Sequence, residues 1–202
     1  MKSVFSFIII FSFFVCNNTP AQLDAREKLL ELQSKFDSIQ DLSAELTQSV
    51  AGTTNLNGKI FYKKANKLRF EFTNILVVSD GETSWNYNMR DNKVIITDYE
   101  TEGTNILSIE QLIYEYPDEC DLSAYEFEGQ LVLELIPNSS TLNFNSVKLF
   151  INADNLVARA LFDDPATGLV QIDLSNYLLN SSLPDSYFSF TPPVGSEIID
   201  LR

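Results

Sequence analysis

From Leu42 to Phe72 the apolar side chains recur at every second position, and this alternation constrains the fold more than any other feature of the chain. Leu42, Ala44 and Leu46 alternate with Ser43, Glu45 and Thr47. Ile60 and Tyr62 stand among Lys59, Phe61 and Lys63, and Leu68, Phe70 and Phe72 among Lys67, Arg69, Glu71 and Thr73. Successive side chains of a strand point to opposite faces, so this pattern makes a sheet with one apolar and one polar face. The pattern continues through Trp85 and Tyr87, then Val94 and Ile96. Past mid-chain it resumes over 125–128, 131–136, 146–152, 156–162 and 169–177, with two more short extended pieces around Pro192-Pro193. Ser79-Asp80-Gly81, Arg90-Asp91-Asn92, Asn138-Ser139-Ser140 and 163–168 read as turns. An antiparallel meander this long must curl or close.

Ahead of the meander the period is that of a helix. Asp24 stands at a capping position with Glu27 three residues on, and Ala25, Leu29, Leu32, Phe36 and Ile39 form one apolar stripe. The spacing predicts a helix over 25–39. A second short helix is predicted over 108–115, stopped by Pro117. Helices are the natural cover for the apolar face of a curled sheet. The expected fold is therefore mainly β with helices: a curved antiparallel incomplete β-barrel with a helical lid over an apolar cavity.

The N-terminus reads as an export signal. Lys2 precedes an apolar run from Val4 to Val15, shorter than the roughly 20 residues that span a bilayer. Thr19-Pro20-Ala21 then places small residues before a cut at Gln22. The expected division is a signal peptide over 1–21 and one domain over 22–202. Cys16 offers the alternative of lipid attachment, but the bulky Val15 before it favours cleavage after Ala21. Cys120 is then the one remaining thiol, without an intramolecular partner, and in an oxidising compartment it is best buried.

The absence of histidine from the chain removes Ser-His and Cys-His catalysis and the commonest metal ligand. No phosphate-binding glycine loop is present. The carboxylates Glu100/Glu102, Asp118/Glu119/Asp121 and Asp163/Asp164 fall in turns or at strand ends, without the spacing of an acid–base pair. No catalytic residue, metal or cofactor is expected, and the reading is of a protein that is not an enzyme. A formal net charge of −14 disfavours nucleic acid and anionic headgroups. The basic residues Lys59, Lys63, Lys64, Lys67 and Arg69 cluster in one segment, either as a solvated strand face or as a local docking point. The aromatic side chains on the inward phase are either plain core or the lining of a cavity for an apolar ligand.

Two stretches carry a family resemblance. Gly58-Lys-Ile-Phe-Tyr-Lys-Lys-Ala-Asn-Lys-Leu-Arg-Phe-Glu-Phe72 is followed by Val77-Val-Ser-Asp-Gly-Glu-Thr-Ser-Trp-Asn-Tyr87, and the tail reads Phe188-Ser-Phe-Thr-Pro-Pro-Val-Gly-Ser-Glu-Ile-Ile-Asp200. Together with the order of elements over 22–202, these resemble the periplasmic outer-membrane lipoprotein carrier family, LolA. The resemblance implies a periplasmic protein whose hydrophobic cavity takes the acyl chains of lipoproteins. An inner-membrane ABC transporter would load it and an outer-membrane acceptor unload it. Where the family has an Arg-Pro step that locks the lid by hydrogen bonds, this chain has Lys64-Ala65. Lysine keeps the charge and can reach carbonyls, but lacks the planar fork of arginine.

On this reading Leu68, Phe70, Phe72, Trp85, Tyr87, Leu133 and Leu135 bind acyl chains on the cavity face. Leu29, Leu32 and Phe36 form the lid's underside, and Lys64 holds the lid. The partners are acylated lipoproteins, with no nucleic acid, and a monomer is expected. Two alternatives stay open: an outer-membrane lipoprotein receptor of the same fold lipidated at Cys16, and a domain that senses mislocalised lipoproteins.

Overall fold

The computed structural model describes residues 23–99 and 111–202. The signal segment with Cys16, the cut at Gln22, the carboxylates Glu100 and Glu102 and the 108–110 part of the second predicted helix lie outside them.

Helix α1 spans Ala25–Asp37, and the Asp24 carboxylate caps it by accepting from the Arg26 and Glu27 amides at 2.9 and 3.2 Å. It ends two residues before the predicted stop, because the Ser38 hydroxyl donates to the Lys35 carbonyl at 2.6 Å and the chain turns into the sheet. Ile39 nonetheless stays fully buried, so the apolar stripe outlives the helix. In the second helical region Gln111–Glu115 is a π-helical turn and Tyr116–Glu119 a 3-10 turn, rather than one α-helix. Pro117, near the start of that 3-10 turn, fits there because the first N–H groups of a helix need no internal partner.

The strands are β1 (Asp41–Val50), β2 (Thr53–Lys63), β3 (Lys67–Phe72), β4 (Ile75–Ser79), β5 (Thr83–Asn88), β6 (Lys93–Asp98), β7 (Cys120–Phe127), β8 (Gln130–Pro137), β9 (Ser146–Ile151), β10 (Val157–Asp164), β11 (Gly168–Leu179) and β12 (Glu197–Asp200). They form one open, curved sheet ordered β12-β6-β5-β4-β3-β2-β1-β11-β10-β9-β8-β7. Strand β1 pairs with β2 on one side and β11 on the other, and so joins the two meanders. One pairing departs from the antiparallel expectation: β12 lies parallel to β6. The tail reaches that edge after crossing the sheet, so it arrives in the same sense as β6. Of the two extended pieces expected in the tail, the second is β12, and the first begins within the 3-10 turn Asp185–Phe188 and continues extended from Ser189 without joining a strand.

Both faces of the sheet are covered. On the concave face, Leu29, Leu32 and Phe36 of α1 pack into one core with Leu42, Ala44, Ile60, Tyr62, Leu68, Phe70, Leu133, Leu135, Val147 and Leu149. The Phe36 and Tyr62 rings lie 5.0 Å apart. Cys120 is buried at the edge of this core. Burial, then the neighbouring charges of Glu119 and Asp121, push its thiol up; a thiol so held is protonated and inert.

The tail covers the convex face. Phe188 is 1% exposed beneath it, the Tyr187 ring meets Phe61 at 5.4 Å and Phe190 meets Tyr87 at 5.6 Å. Here the basic segment acts as a docking point within the chain. Lys63 and Lys67 donate to the Asp185 carboxylate at 2.7 and 3.1 Å, and Arg69 donates to the Tyr187 carbonyl at 3.1 Å. The two lysine hydrogen bonds hold the Asp185 carboxyl below its ordinary range.

The turn between β2 and β3 places Ala65 at φ +68° and Asn66 at φ +58°. Proline cannot take the first of these angles, so a Pro at 65 is incompatible with this turn. Gly81, in the β4–β5 turn, packs against it, and a Cβ there would collide with the Ala65 carbonyl oxygen. A left-handed alanine is strained, so Ala65→Gly should stabilise the chain by about 0.5–1 kcal/mol and Ala65→Pro should destabilise it, both read by denaturant unfolding.

Candidate functional site

Because the strands alternate in direction, the sheet has two distinct ends. At one, β1, β3, β5, β8 and β10 finish and β2, β4, β6, β7, β9 and β11 begin; at the other lie the C-terminus of α1 and the β2–β3 turn. The lid is tied at both ends: Arg26 meets the Asp118 carboxylate at 3.6 Å at the first, with both side chains exposed, and the shorter contacts lie towards the second. Lys64 Nζ donates to the Asp37 carbonyl oxygen at 2.7 Å. The π-helical turn is clasped to α1 by Gln33 donating to the Ile113 carbonyl at 2.9 Å and by the Tyr114 hydroxyl donating to the Asp37 carboxylate at 2.6 Å.

The first end is where the concave face opens. A pocket of about 500 Å³ lies there, with Leu56, Phe72 and Ile75 as its apolar lining and Thr73, Asn74, Asn88, Arg90 and Asp91 around them. With Asn57 also in the lining, polar side chains outnumber the three apolar ones, so this is a polar-rimmed groove at the margin of the apolar face. Phe72 faces it for a local reason. It pairs across the ladder with Gly58, where a Cβ would collide with the Glu71 carbonyl oxygen and crowd the Phe72 ring. The ring therefore lies along the bare backbone of β2, stacked at 6.3 Å on Phe70. Further half-buried apolar side chains at this end, Tyr116, Phe144 and Val170, also pack on the core. Burial, then Glu115 and Glu119, push the Tyr116 hydroxyl up.

The structure separates the expected site residues into three groups. Leu68, Phe70, Leu133 and Leu135 are on the concave face, but packed into the closed core beneath the lid. Phe72 is on the same face and half-buried at the pocket. Trp85 and Tyr87 are on the opposite, convex face, which corrects their placement in the cavity. The register fixes this: Phe70 pairs with Val77 and Val77 with Asn86, so Asn86 shares the concave face, while Trp85 pairs with Val78 and Tyr87 with Leu76 on the other side. Polar Ser84, Asn86 and Asn88 are what β5 turns inward, so the apolar floor ends at β4.

Sequence reasoning missed Leu56, Ile75 and the clasp residues Gln33, Asp37 and Tyr114. A signal for the two-sided burial was present. Ile75-Leu76-Val77-Val78 is apolar without interruption, which marks a strand covered on both faces, and a covered convex face has room for Trp85 and Tyr87.

Among the described residues no three His, Cys, Asp or Glu side chains are gathered as a metal site, and no helix is long and apolar enough to cross a membrane. The family model described as outer membrane lipoprotein carrier protein LolA matches residues 37–191. An outer-membrane lipoprotein carrier protein of Legionella pneumophila is 24% identical over 95% of each chain. One of Dechloromonas aromatica is 28% identical over 84% of this chain and 86% of its own. Among solved structures, an uncharacterised conserved protein of Thermus thermophilus shares the fold with a TM-score of 0.59 at 15% identity, covering 87% of this chain and 98% of that one.

Proposed function

The chain belongs to the LolA family of outer membrane lipoprotein carrier proteins, and from that premise we propose that it is a periplasmic carrier, not an enzyme, that holds the acyl chains of lipoproteins between its concave face and its lid. The observation that carries this reading is the Phe72 pocket at one end of an apolar concave face whose lid is held by a few polar contacts along its length, from the exposed Arg26–Asp118 pair at the pocket end to Lys64 at the other.

The physical need is plain. Each buried CH₂ is worth about 0.8 kcal/mol, so a sixteen-carbon chain costs on the order of 12 kcal/mol to expose to water. A carrier must offer apolar surface when loaded and hide it when empty. With the lid closed, Leu29, Leu32 and Phe36 share one core with Leu68, Phe70, Leu133 and Leu135. An acyl chain entering past Phe72, Leu56 and Ile75 would displace α1 and take its place on those residues. Apolar contact with the ligand then substitutes for apolar contact with the lid, which keeps opening and closing near balance. Acylated lipoproteins are the cargo, an inner-membrane ABC transporter loads it and an outer-membrane acceptor receives it. A strongly acidic surface keeps the carrier off anionic headgroups in transit.

Binding of a palmitoylated peptide to the purified protein tests the proposal. Saturable binding that competes with an apolar dye is expected, and binding no tighter than to a compact β-protein control would refute it. Removing the Lys64 hydrogen bond should favour opening. Lys64 is exposed, so the gain is modest: Lys64→Ala should raise dye occupancy of the empty protein about two- to tenfold. Unchanged occupancy would mean that Lys64 is a solvated side chain with no part in closure.

A further inference from the structure

We propose that Asp41 is the positioning residue of a latch that couples the tail on the convex face to the lid on the concave one; the inference rests on the reading of α1 as a lid. Asp41 opens β1 and is 4% exposed. The described residues bring no cation to its carboxylate. One oxygen accepts from the Ser181 amide and hydroxyl at 2.8 and 3.1 Å, and the other from the Ser182 amide at 3.0 Å. Its backbone carbonyl accepts from the Asn180 amide at 2.8 Å. The head of the tail is thus folded around a buried carboxylate that needs these donors, since a buried charge without partners is unfavourable.

From this hub an unbroken chain of hydrogen bonds runs to the lid. The Asn180 side-chain oxygen accepts from the Gln40 amide at 2.7 Å. The Gln40 carbonyl accepts from the Lys64 amide at 2.9 Å. Lys64 Nζ reaches the Asp37 carbonyl in the last turn of α1. The adjacent Lys63 donates the other way, to the Leu183 carbonyl at 2.8 Å and to Asp185 in the tail. One turn therefore grips the lid with one lysine and the tail with the next.

Four residues of this knot, Ala65, Asn66, Asn180 and Ser182, have φ between +53° and +68°. Asparagine tolerates that region, but alanine and serine do so under strain. Such a conformation persists only while its surroundings impose it. Freeing the tail exposes the Asp41 carboxylate, releases the Gln40 amide and lets the Lys64 turn relax, so the lid end loses its fixed anchor. By linkage, opening the lid loosens the tail to the same extent.

Asn180→Gly is the clean test. Glycine keeps the left-handed backbone and removes only the side-chain acceptor, whereas Asn180→Asp retains it. Two readouts are taken on the purified protein: the stopped-flow rate of Nile red entry, and hydrogen exchange of the Ser38 and Ile39 amides, which bond within the end of α1 and not to Asn180. Asn180→Gly should speed dye entry about three- to tenfold and speed exchange in parallel. Asn180→Asp should stay near the parent protein. Asp41→Asn should shift both readouts in the direction of Asn180→Gly. Adding Lys64→Ala to Asn180→Gly should give little beyond either alone, because both cut one chain of bonds. If Asn180→Gly and Asp41→Asn leave both readouts at the parent values while Lys64→Ala alone speeds entry, the lid closes without the tail and the coupling is wrong. If the parent protein binds no dye at all, the carrier reading fails, and amide exchange still decides the coupling separately: faster exchange in Asn180→Gly supports it, unchanged exchange overturns it.

Discussion

Phe72→Glu should abolish binding of a palmitoylated peptide while the protein still folds. Phe72 is half-buried at the open end of the concave face, beside a pocket that also receives Arg90 and Asn88. A carboxylate there can stay hydrated in the empty protein, at the cost of the ring's stacking on Phe70. Beside an acyl chain it must be desolvated, which costs several kcal/mol, and binding should fall at least about a hundredfold. The contrast is Leu133→Ala, on the same face but 1% exposed under the lid. That change should lower stability by about 2–5 kcal/mol. Titration with the labelled peptide and thermal melting of both variants check the pair. Failure of Phe72→Glu to fold would make position 72 plain core and move the pocket out of the binding path.

Phe188→Ala should be among the most destabilising single changes in the chain, although it lies in a C-terminal tail without regular strand around it. The ring is 1% exposed, and the flanking Asp185, Tyr187 and Phe190 are each tied to the sheet. Truncating a buried phenylalanine costs about 3–5 kcal/mol, which for a domain of this size is on the order of 10 °C in Tm. Peptide binding per folded molecule should survive, since no residue of the tail lines the pocket. A melting shift under about 2 °C would mean that the tail is peripheral to the fold.

These two changes mark where the sequence was legible and where it was not. The stripe Leu29, Leu32, Phe36 and the alternation over Leu42–Phe72 were readable because each depends on one element and its own period. The curl follows from strand number and one-faced burial. Trp85 and Tyr87 were misplaced because strand alternation says which residues share a face but not which face that is. That is decided by the pairing of Val77 with Asn86 and of Val78 with Trp85, which no local pattern encodes. The tail offered only aromatic residues and prolines, whose buried side depends on a partner surface more than a hundred residues away in sequence.

The basic segment shows the same limit. Its charge was visible, and both a solvated face and a docking point fitted it. Only the fold shows that Lys63, Lys67 and Arg69 bind the tail and Lys64 the lid. The Lys64-Ala65 step likewise acquires meaning from the backbone, since the left-handed angle at Ala65 requires a turn that an Arg-Pro step could not make.

Whether acyl chains ride on the concave face can be read in living cells by site-specific photocrosslinking. A benzophenone amino acid is placed at position 72 on the concave face or at position 85 on the convex one, in cells fed an alkyne-bearing fatty acid that labels lipoproteins. Crosslinks to labelled lipoproteins are expected from position 72 and none from position 85. Crosslinks from position 85 alone, or from neither position in cells whose lipoproteins are labelled, would contradict binding on the concave face.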